Sequence, residues 1–209
     1  MTGGGDSSGI RLLLWDFGGV ICRFDYRIFC DRLAERIRRS PDEIFVAAFG
    51  NRLQRDFERG KLSGCDYHRA VMAQLDADVP YEEFCLMYGD IFTEIPDTCD
   101  LLRRLRRRYS LYLLSNTNEI HFDYVKKTVP VLSVFDECIV SYKVGVMKPD
   151  PRIYEEALRR SGLTAGACLF VDDQMPNVEG AIHVGMRALR FESADMFAAE
   201  LSHLGVVLP

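Results

Sequence analysis

The sequence predicts an α/β fold, in which a doubly wound parallel sheet carries a small all-helical cap inserted after its first strand. Two features lead to this prediction. Four short apolar runs end abruptly in polar residues, as strands buried on both faces of a parallel sheet do: LLLW, LYLL, CIV and CLFV. Helical patterns alternate with the later runs, whereas the region from about residue 25 to residue 95 has helical periodicity with almost no strand signal.

The core elements are predicted in a strand and helix order that right-handed crossovers can connect. The first strand is LLLW, and the second strand, LYLL, follows the helix PDTCDLLRRLRRR. The third strand is CIV, and the helix PRIYEEALRRSG separates it from the fourth strand, CLFV. The chain then continues with the helix MPNVEGAIHVG, the short strand MRALRF and a closing helix near residues 194–203.

Helix boundary signals divide the inserted region into short helices. One helix has an N-cap, a first-turn proline and a capping-box partner in Ser40, Pro41 and Glu43. A second helix has a cap in Ser63, and a third, YEEFCLMYG, follows Pro80. The insertion is therefore predicted to be all-helical.

These patterns divide the chain into three parts. Residues 1–10 are rich in glycine and serine and are expected to form a flexible tail without the order of a signal peptide. The core takes residues 11–24 and 96–209, and the helical cap takes residues 25–95. With 209 residues, of which 48% are hydrophobic, the chain is long enough to bury a core and such an insertion.

Composition limits the partners and the compartment. A net charge of −5 gives no general attraction to nucleic acid or to acidic membranes, so the expected partner is a small molecule. No apolar run approaches membrane-spanning length. The seven cysteines are odd in number and never spaced as C-x-x-C, which suggests neither a disulfide framework nor a zinc site. A reducing cytoplasm is the expected location, and the oligomeric state stays open.

Polar residues follow the predicted strands at the points where the strands end. In an open parallel sheet, ligands bind beyond the carboxyl ends of the strands, where the strand order reverses. We therefore expect one site to collect the following side chains: Asp16, Ser115, Asn116, Lys148, Asp172 and Asp173. Three carboxylates so close together repel one another unless a metal cation or the lysine neutralises them. Magnesium, which prefers oxygen ligands and shares them with phosphate groups, is the expected cofactor.

Four motifs in this order resemble the haloacid dehalogenase-like hydrolase superfamily: WDFGGVI, LLSNTN, VGVMKPDPRIY and LFVDDQMPNVEGA. The resemblance covers about residues 11 to 195 and is closest to the helical-cap subgroup, which includes sugar-phosphate phosphatases and the phosphatase domain of soluble epoxide hydrolase. It implies a Rossmann-like core and hydrolase activity.

The resemblance implies a catalytic role for four residues. Asp16 would attack phosphorus and form an aspartyl-phosphate that water then hydrolyses. Ser115 would hydrogen-bond a phosphoryl oxygen, with Asn116 as a further candidate for that contact. Lys148 would neutralise charge on the transferring group and steady Asp16. This division suits phosphoryl transfer, where positioning and charge stabilisation carry most of the catalysis.

The resemblance also implies a Mg²⁺ site. Its ligands would be Asp16, the backbone carbonyl of Gly18 and Asp173. Asp172 would be either a further ligand or a support for the ligands, and Asn177 would orient the two carboxylates. Most phosphatases of the superfamily carry a second aspartate where this chain has Gly18, and its side chain protonates the leaving oxygen. Gly18 keeps the carbonyl and lacks the acid, and such an acid is typically worth ~10²- to 10⁴-fold in rate.

The sequence leaves two points open. Asp25 could substitute for the missing acid or could serve as a helix N-cap. The predicted function is a Mg²⁺-dependent phosphatase that acts on a small phosphomonoester, with a sugar phosphate as the substrate the resemblance suggests. The alternatives are a 2-haloacid dehalogenase, in which the aspartate attacks carbon without a metal, and a pseudoenzyme that binds a phosphoryl ligand and has lost turnover together with the acid.

Overall fold

A five-stranded parallel sheet forms the centre of the fold. The computed structural model describes residues 9–208 of the chain. In chain order the strands of this sheet are β1 (Leu12–Trp15), β4 (Ser110–Ser115), β5 (Glu137–Val140), β6 (Cys168–Asp172) and β7 (Arg187–Arg190). They lie side by side in the order β5-β4-β1-β6-β7, and all neighbours run parallel. The doubly wound parallel sheet is thereby confirmed, and the strand order reverses at β1.

Helices flank this sheet along the second half of the chain. They are α6 (Pro96–Leu105), α7 (Glu119–Thr128), α8 (Ser141–Val144), α9 (Pro151–Ser161), α10 (Met175–His183) and α11 (Ala194–His203). Helix α7 was not predicted from the sequence, although its N-cap residue is of a typical kind: the Asn118 side chain accepts a hydrogen bond from the backbone N–H of His121 at 3.0 Å. No helix among the described residues is both long and apolar enough to cross a bilayer.

The side chains of β1 are buried on both faces of the sheet. Leu13 and Trp15 belong to one apolar cluster, and Leu12 and Leu14 belong to the cluster on the opposite face. All four are inaccessible to solvent, as expected for a central parallel strand. The strand is therefore held firmly up to its carboxyl end, where Asp16 follows.

The inserted region is helical and has an apolar cluster of its own. Its helices are α1 (Tyr26–Ala34), α2 (Pro41–Ala48), α3 (Arg52–Glu58), α4 (Gly64–Leu75) and α5 (Tyr81–Gly89). The predicted capping box at the start of α2 is present, with Ser40 and Glu43 exchanging hydrogen bonds between side chain and backbone. A short antiparallel pair that the sequence analysis did not predict, β2 (Cys22–Phe24) and β3 (Phe92–Glu94), joins the insertion to the core.

The division into tail, core and cap stays a prediction. Residues 1–8 of the predicted tail lie outside the described residues. Ile10, which the prediction assigned to the tail, is buried in the core cluster.

Candidate active site

A buried lysine joins two carboxylates at the carboxyl ends of β1 and β6. The Nζ atom of Lys148 lies 2.6 Å from an Asp16 oxygen and 2.7 Å from an Asp172 oxygen. Burial raises the pKa of Asp16 to about 6, with the Lys148 ammonium opposing and the Asp172 carboxylate adding to the shift. Burial acts to lower the pKa of Lys148, but its two carboxylate partners outweigh it and hold that pKa above its usual value. The site therefore keeps a cation beside the predicted nucleophile.

Asn116 fixes the backbone of Lys148. Its side-chain amide donates to the Lys148 carbonyl at 3.0 Å, and its side-chain oxygen accepts from the Lys148 backbone N–H at 2.8 Å. These two bonds use the side-chain oxygen and one of the two N–H groups of the amide, and a contact of the other N–H with a phosphoryl oxygen stays a prediction. The observed part of Asn116 is to place the lysine between its two carboxylates.

Ser115 lines a small cavity next to these residues. Its side chain is buried, and the contact of its hydroxyl with the Asn116 carbonyl is long, at 3.5 Å. The cavity, called the active-site cavity below, has a volume of about 50 Å³ and is lined by Phe17, Gly18, Phe24, Tyr26, Glu58, Phe92, Ser115, Asn116, Thr117 and His121. The hydroxyl of Ser115 is therefore a donor that a ligand could use.

The residues present fit a divalent cation. Asp16, Asp172 and Asp173 each offer an oxygen atom, and these atoms lie within 4.8 Å of one another. The Oδ1 atom of Asp173 is buried without a hydrogen-bond partner, and burial, followed by the charge of Asp172, raises the pKa of this carboxyl. Gly19, at a φ of +78°, leaves room for it, since a Cβ there would lie 2.6 Å from Asp173 Oδ2. An unpartnered carboxylate oxygen in an acidic cluster is what a hard cation such as Mg²⁺ binds.

Asp172 is already saturated by protein donors. The Asn177 amide contacts both of its oxygens at 3.0 Å, and the backbone N–H of Gln174 donates to one of them at 2.8 Å. Lys148 supplies a further donor. Of the two roles left open for Asp172, this arrangement favours support of the ligands over direct coordination. The carbonyl of Gly18 as a metal ligand stays a prediction.

An aromatic ring fills the space above Gly18. A Cβ atom built on this glycine would lie 2.8 Å from Cε1 of Phe24, a half-exposed side chain. Asp25 points elsewhere: it is exposed and caps α1, accepting from the backbone N–H of Arg27 at 2.8 Å. The N-cap is thus the role that the structure supports for Asp25.

Two further titratable residues of the active-site cavity lie close to the predicted site. His121 contacts the Tyr88 carbonyl through Nε2 and the Asn118 amide through Nδ1, each at 3.1 Å, and burial lowers its pKa to about 3. Glu58 reaches the cavity from the end of α3, and burial raises its pKa to about 7. Glu58 was not among the predicted site residues, because nothing in the helical pattern around it distinguishes it from a solvated glutamate.

Comparison with known proteins places these features in a family. The sequence model of the haloacid dehalogenase-like hydrolase family matches residues 10–185 of this chain. The chain is 31% identical over 226 residues to Phosphatase MT3486 of Mycobacterium tuberculosis, an alignment that covers 95% of this chain and 97% of that protein. It is 24% identical over 200 residues to D-ribitol-5-phosphate phosphatase of Bacteroides thetaiotaomicron, with 92% and 97% of the two chains covered.

Solved structures show the same fold. A haloacid dehalogenase family enzyme from Bacteroides thetaiotaomicron, in complex with magnesium and inorganic phosphate, superposes with a TM-score of 0.77 at 23% identity and covers 88% of this chain and 94% of its own. Two (S)-2-haloacid dehalogenases match a smaller part, 45% and 46% of this chain. Since the family model spans residues 10–185 of the 209 in the chain, this protein belongs to the haloacid dehalogenase-like hydrolases.

Proposed function

We propose that this protein is a Mg²⁺-dependent phosphatase that hydrolyses a small phosphomonoester through a phosphorylated Asp16. The observation that carries the proposal is the pairing of Asp16 with Lys148 beside the unpartnered carboxylate oxygen of Asp173. A nucleophile, a buried ammonium and a place for a cation are the parts that phosphoryl transfer needs. The phosphatase relatives support the same activity.

Each residue has a definite part in this reaction. One Asp16 oxygen is held by Lys148, which leaves the other oxygen to attack phosphorus. Lys148 also faces the charge of the transferring group, while Asn116 keeps the lysine in place. The Ser115 hydroxyl donates to a phosphoryl oxygen. Magnesium, coordinated by Asp16 and Asp173, would neutralise negative charge on the phosphoryl group.

The size of the cavity bears on the substrate. About 50 Å³ admits a few water molecules, whereas sites for small organic ligands usually measure several hundred Å³. The substrate therefore enters when the cap region and core separate, and closure then excludes water. A polyol or sugar phosphate is the class we propose, supported by the ribitol phosphate relative.

A reducing cytoplasm remains our proposed location, supported by seven cysteines that are all free thiols.

The test is phosphate release from p-nitrophenyl phosphate and from D-ribitol 5-phosphate, measured with Mg²⁺ and with a chelator. We expect turnover of both substrates that needs the metal. Chloride release from 2-chloropropionate in the presence of chelator would identify a dehalogenase instead. Vanadate binding without any hydrolysis would identify a phosphoryl-binding module.

Replacement of Asp173 by Asn is expected to remove the response to magnesium. The amide is a weaker ligand than the carboxylate. Magnesium at 100 times its dissociation constant stabilises a protein by about 2.7 kcal/mol, so the wild-type melting temperature should rise with the metal and that of the variant should not. Without metal, the variant should be as stable as the wild type or more stable, because one of three mutually repelling carboxylates is gone.

The matched control for this experiment is Asp78→Asn, which removes an exposed carboxylate outside the cluster. It should keep the full magnesium response. An undiminished response in Asp173→Asn would show that the metal binds without Asp173.

A further inference from the structure

The proposed reaction needs a proton donor, and Gly18 cannot supply one at the position where most phosphatases of the superfamily carry an aspartate. When the bond between phosphorus and the leaving oxygen breaks, an alkoxide leaves unless an acid protonates it. Position 18 carries no side chain, and Phe24 fills the space above it. The titratable side chains that line the active-site cavity are Tyr26, Glu58 and His121.

His121 and Tyr26 are poor donors for this purpose. Both ring nitrogens of His121 are engaged, and with a pKa of about 3 the ring is neutral at physiological pH. Burial, followed by the charge of Glu58, raises the pKa of Tyr26 above its usual value, which makes its hydroxyl a weaker acid than an ordinary phenol. A general acid works best when its pKa is close to the operating pH.

We propose that Glu58, carried by the inserted helices, is the general acid of this enzyme and replaces the aspartate that position 18 lacks. The inference rests on the proposed phosphatase function. Glu58 lies outside the four core motifs, and it lines the active-site cavity together with Gly18 and Ser115.

The backbone of Glu58 is hydrogen-bonded to the core beside the active-site cavity. The hydroxyl of Ser141, at the carboxyl end of β5, donates to the Glu58 carbonyl at 2.7 Å and accepts from the backbone N–H of Thr117 at 2.9 Å. Gly60, at a φ of +67°, follows closely and packs against the backbone of Tyr142, where a Cβ would clash. The end of α3 is thus tied to the loops that carry the site.

The surroundings of the carboxyl suit a proton donor. The Gln54 amide donates to one Glu58 oxygen at 3.1 Å and lies 3.2 Å from the hydroxyl of Tyr26. The other titratable groups that its charge reaches are the phenols Tyr67 and Tyr88, and neutral His121 faces the same cavity. Burial is the main cause that raises the pKa of Glu58 to about 7, and the Gln54 amide opposes it. A carboxyl in these surroundings can be protonated when substrate binds and ionised after it has reacted.

The two half-reactions balance with Glu58 as the donor and acceptor. In the first, Asp16 forms a bond to phosphorus, the bond from phosphorus to the leaving oxygen breaks, and the Glu58 proton moves to that oxygen to give the alcohol. In the second, Glu58 carboxylate takes a proton from water as the water oxygen attacks phosphorus. The bond between phosphorus and Asp16 then breaks with its electron pair on Asp16, so phosphate leaves and both residues return to their starting states.

The test compares Glu58→Gln with wild type on three substrates whose leaving groups depart with increasing difficulty: p-nitrophenyl phosphate, phenyl phosphate and D-ribitol 5-phosphate. The measured quantity is kcat/KM, which reports on the first half-reaction. We expect less than about a tenfold loss on p-nitrophenyl phosphate and ~10²- to 10⁴-fold losses on the other two, because only poor leaving groups need the acid. The two aryl esters are similar in shape, so their difference separates protonation from binding.

A pH profile gives a second readout. Wild-type kcat/KM for phenyl phosphate should fall as pH rises through about 7, since Glu58 loses the proton it must donate. This limb should be absent in Glu58→Gln. Glu58→Asp, which keeps an acid on a shorter side chain, should recover part of the loss on phenyl phosphate.

The control is Glu35→Gln, the same change at an exposed position of the cap region, which should behave as wild type on all three substrates. In Glu58→Gln/Gly18→Asp, a carboxyl returns to position 18, with the half-exposed Phe24 ring rotating aside, and activity on phenyl phosphate should rise again. Equal losses of Glu58→Gln on both aryl esters, or no loss, would overturn the assignment. A wild type inactive on every substrate would instead refute the phosphatase function, and the role of Glu58 with it.

Discussion

Asp16→Asn is expected to abolish magnesium-dependent phosphate release, with a loss of roughly 10⁴-fold or more. The amide is neither a competent nucleophile nor a good metal ligand, and we propose both functions for this side chain. The replacement has almost the same shape, so Lys148 keeps Asp172 as its partner at 2.7 Å. The measurement is the turnover rate on p-nitrophenyl phosphate with Mg²⁺.

The same variant should remain folded. It removes a carboxylate whose pKa burial raises to about 6, a group that costs free energy when it is ionised in the folded state. Its melting temperature should therefore stay close to that of the wild type, and Asp78→Asn, the same change at an exposed position outside the acidic cluster, should retain turnover of this substrate. Residual activity within tenfold of the wild type would show that another group attacks phosphorus.

Lys148→Met is expected to destabilise the protein by about 3–5 kcal/mol at neutral pH, because it leaves buried carboxylates without their cation. The variant should also lose turnover. A buried carboxyl without a cation has a raised pKa, so the folded variant binds a proton more tightly than the unfolded chain does. The loss in free energy of unfolding therefore appears as the pH rises above the pKa that these carboxyls have in the unfolded chain. It should be smaller near pH 5 than near pH 8.

Denaturant unfolding at both pH values measures this effect. Lys61→Met is the matched control, since Lys61 pairs with Asp56 on the surface, where solvent screens the pair, and this variant should unfold close to the wild type. Lys148→Met/Asp172→Asn should recover part of the stability because one unpaired charge is gone. A deficit below about 1 kcal/mol for Lys148→Met at both pH values would contradict the central part given to this lysine.

Sequence reasoning located the sheet and the acidic site because both depend on short-range patterns. A strand such as LLLW, buried on both faces, has no polar position until the chain leaves the sheet, so the break at Asp16 is visible in one dimension. The predicted parallel sheet is confirmed, and the structure brings Asp16, Lys148, Asp172 and Asp173 together.

Two other features of the fold have sequence patterns too weak to predict them. Helix α7 has an N-cap at Asn118 and was still missed, because its ten residues mix apolar and charged side chains. The β2 and β3 pair has three residues in each strand, too few for an alternating pattern, and its partners lie far apart in the chain.

The sequence by itself determined the parallel sheet, the capping of the inserted helices and the residues that supply charge to the site, since these follow from periodicity and residue chemistry. Tertiary structure alone decided that Asn116 holds Lys148, that Phe24 covers Gly18 and that Glu58 faces the cavity. The physical reason is distance along the chain. Glu58 and Ser141 are 83 positions apart and Asn116 and Lys148 are 32 apart, and no pattern of neighbouring residues records which distant side chains packing brings into contact.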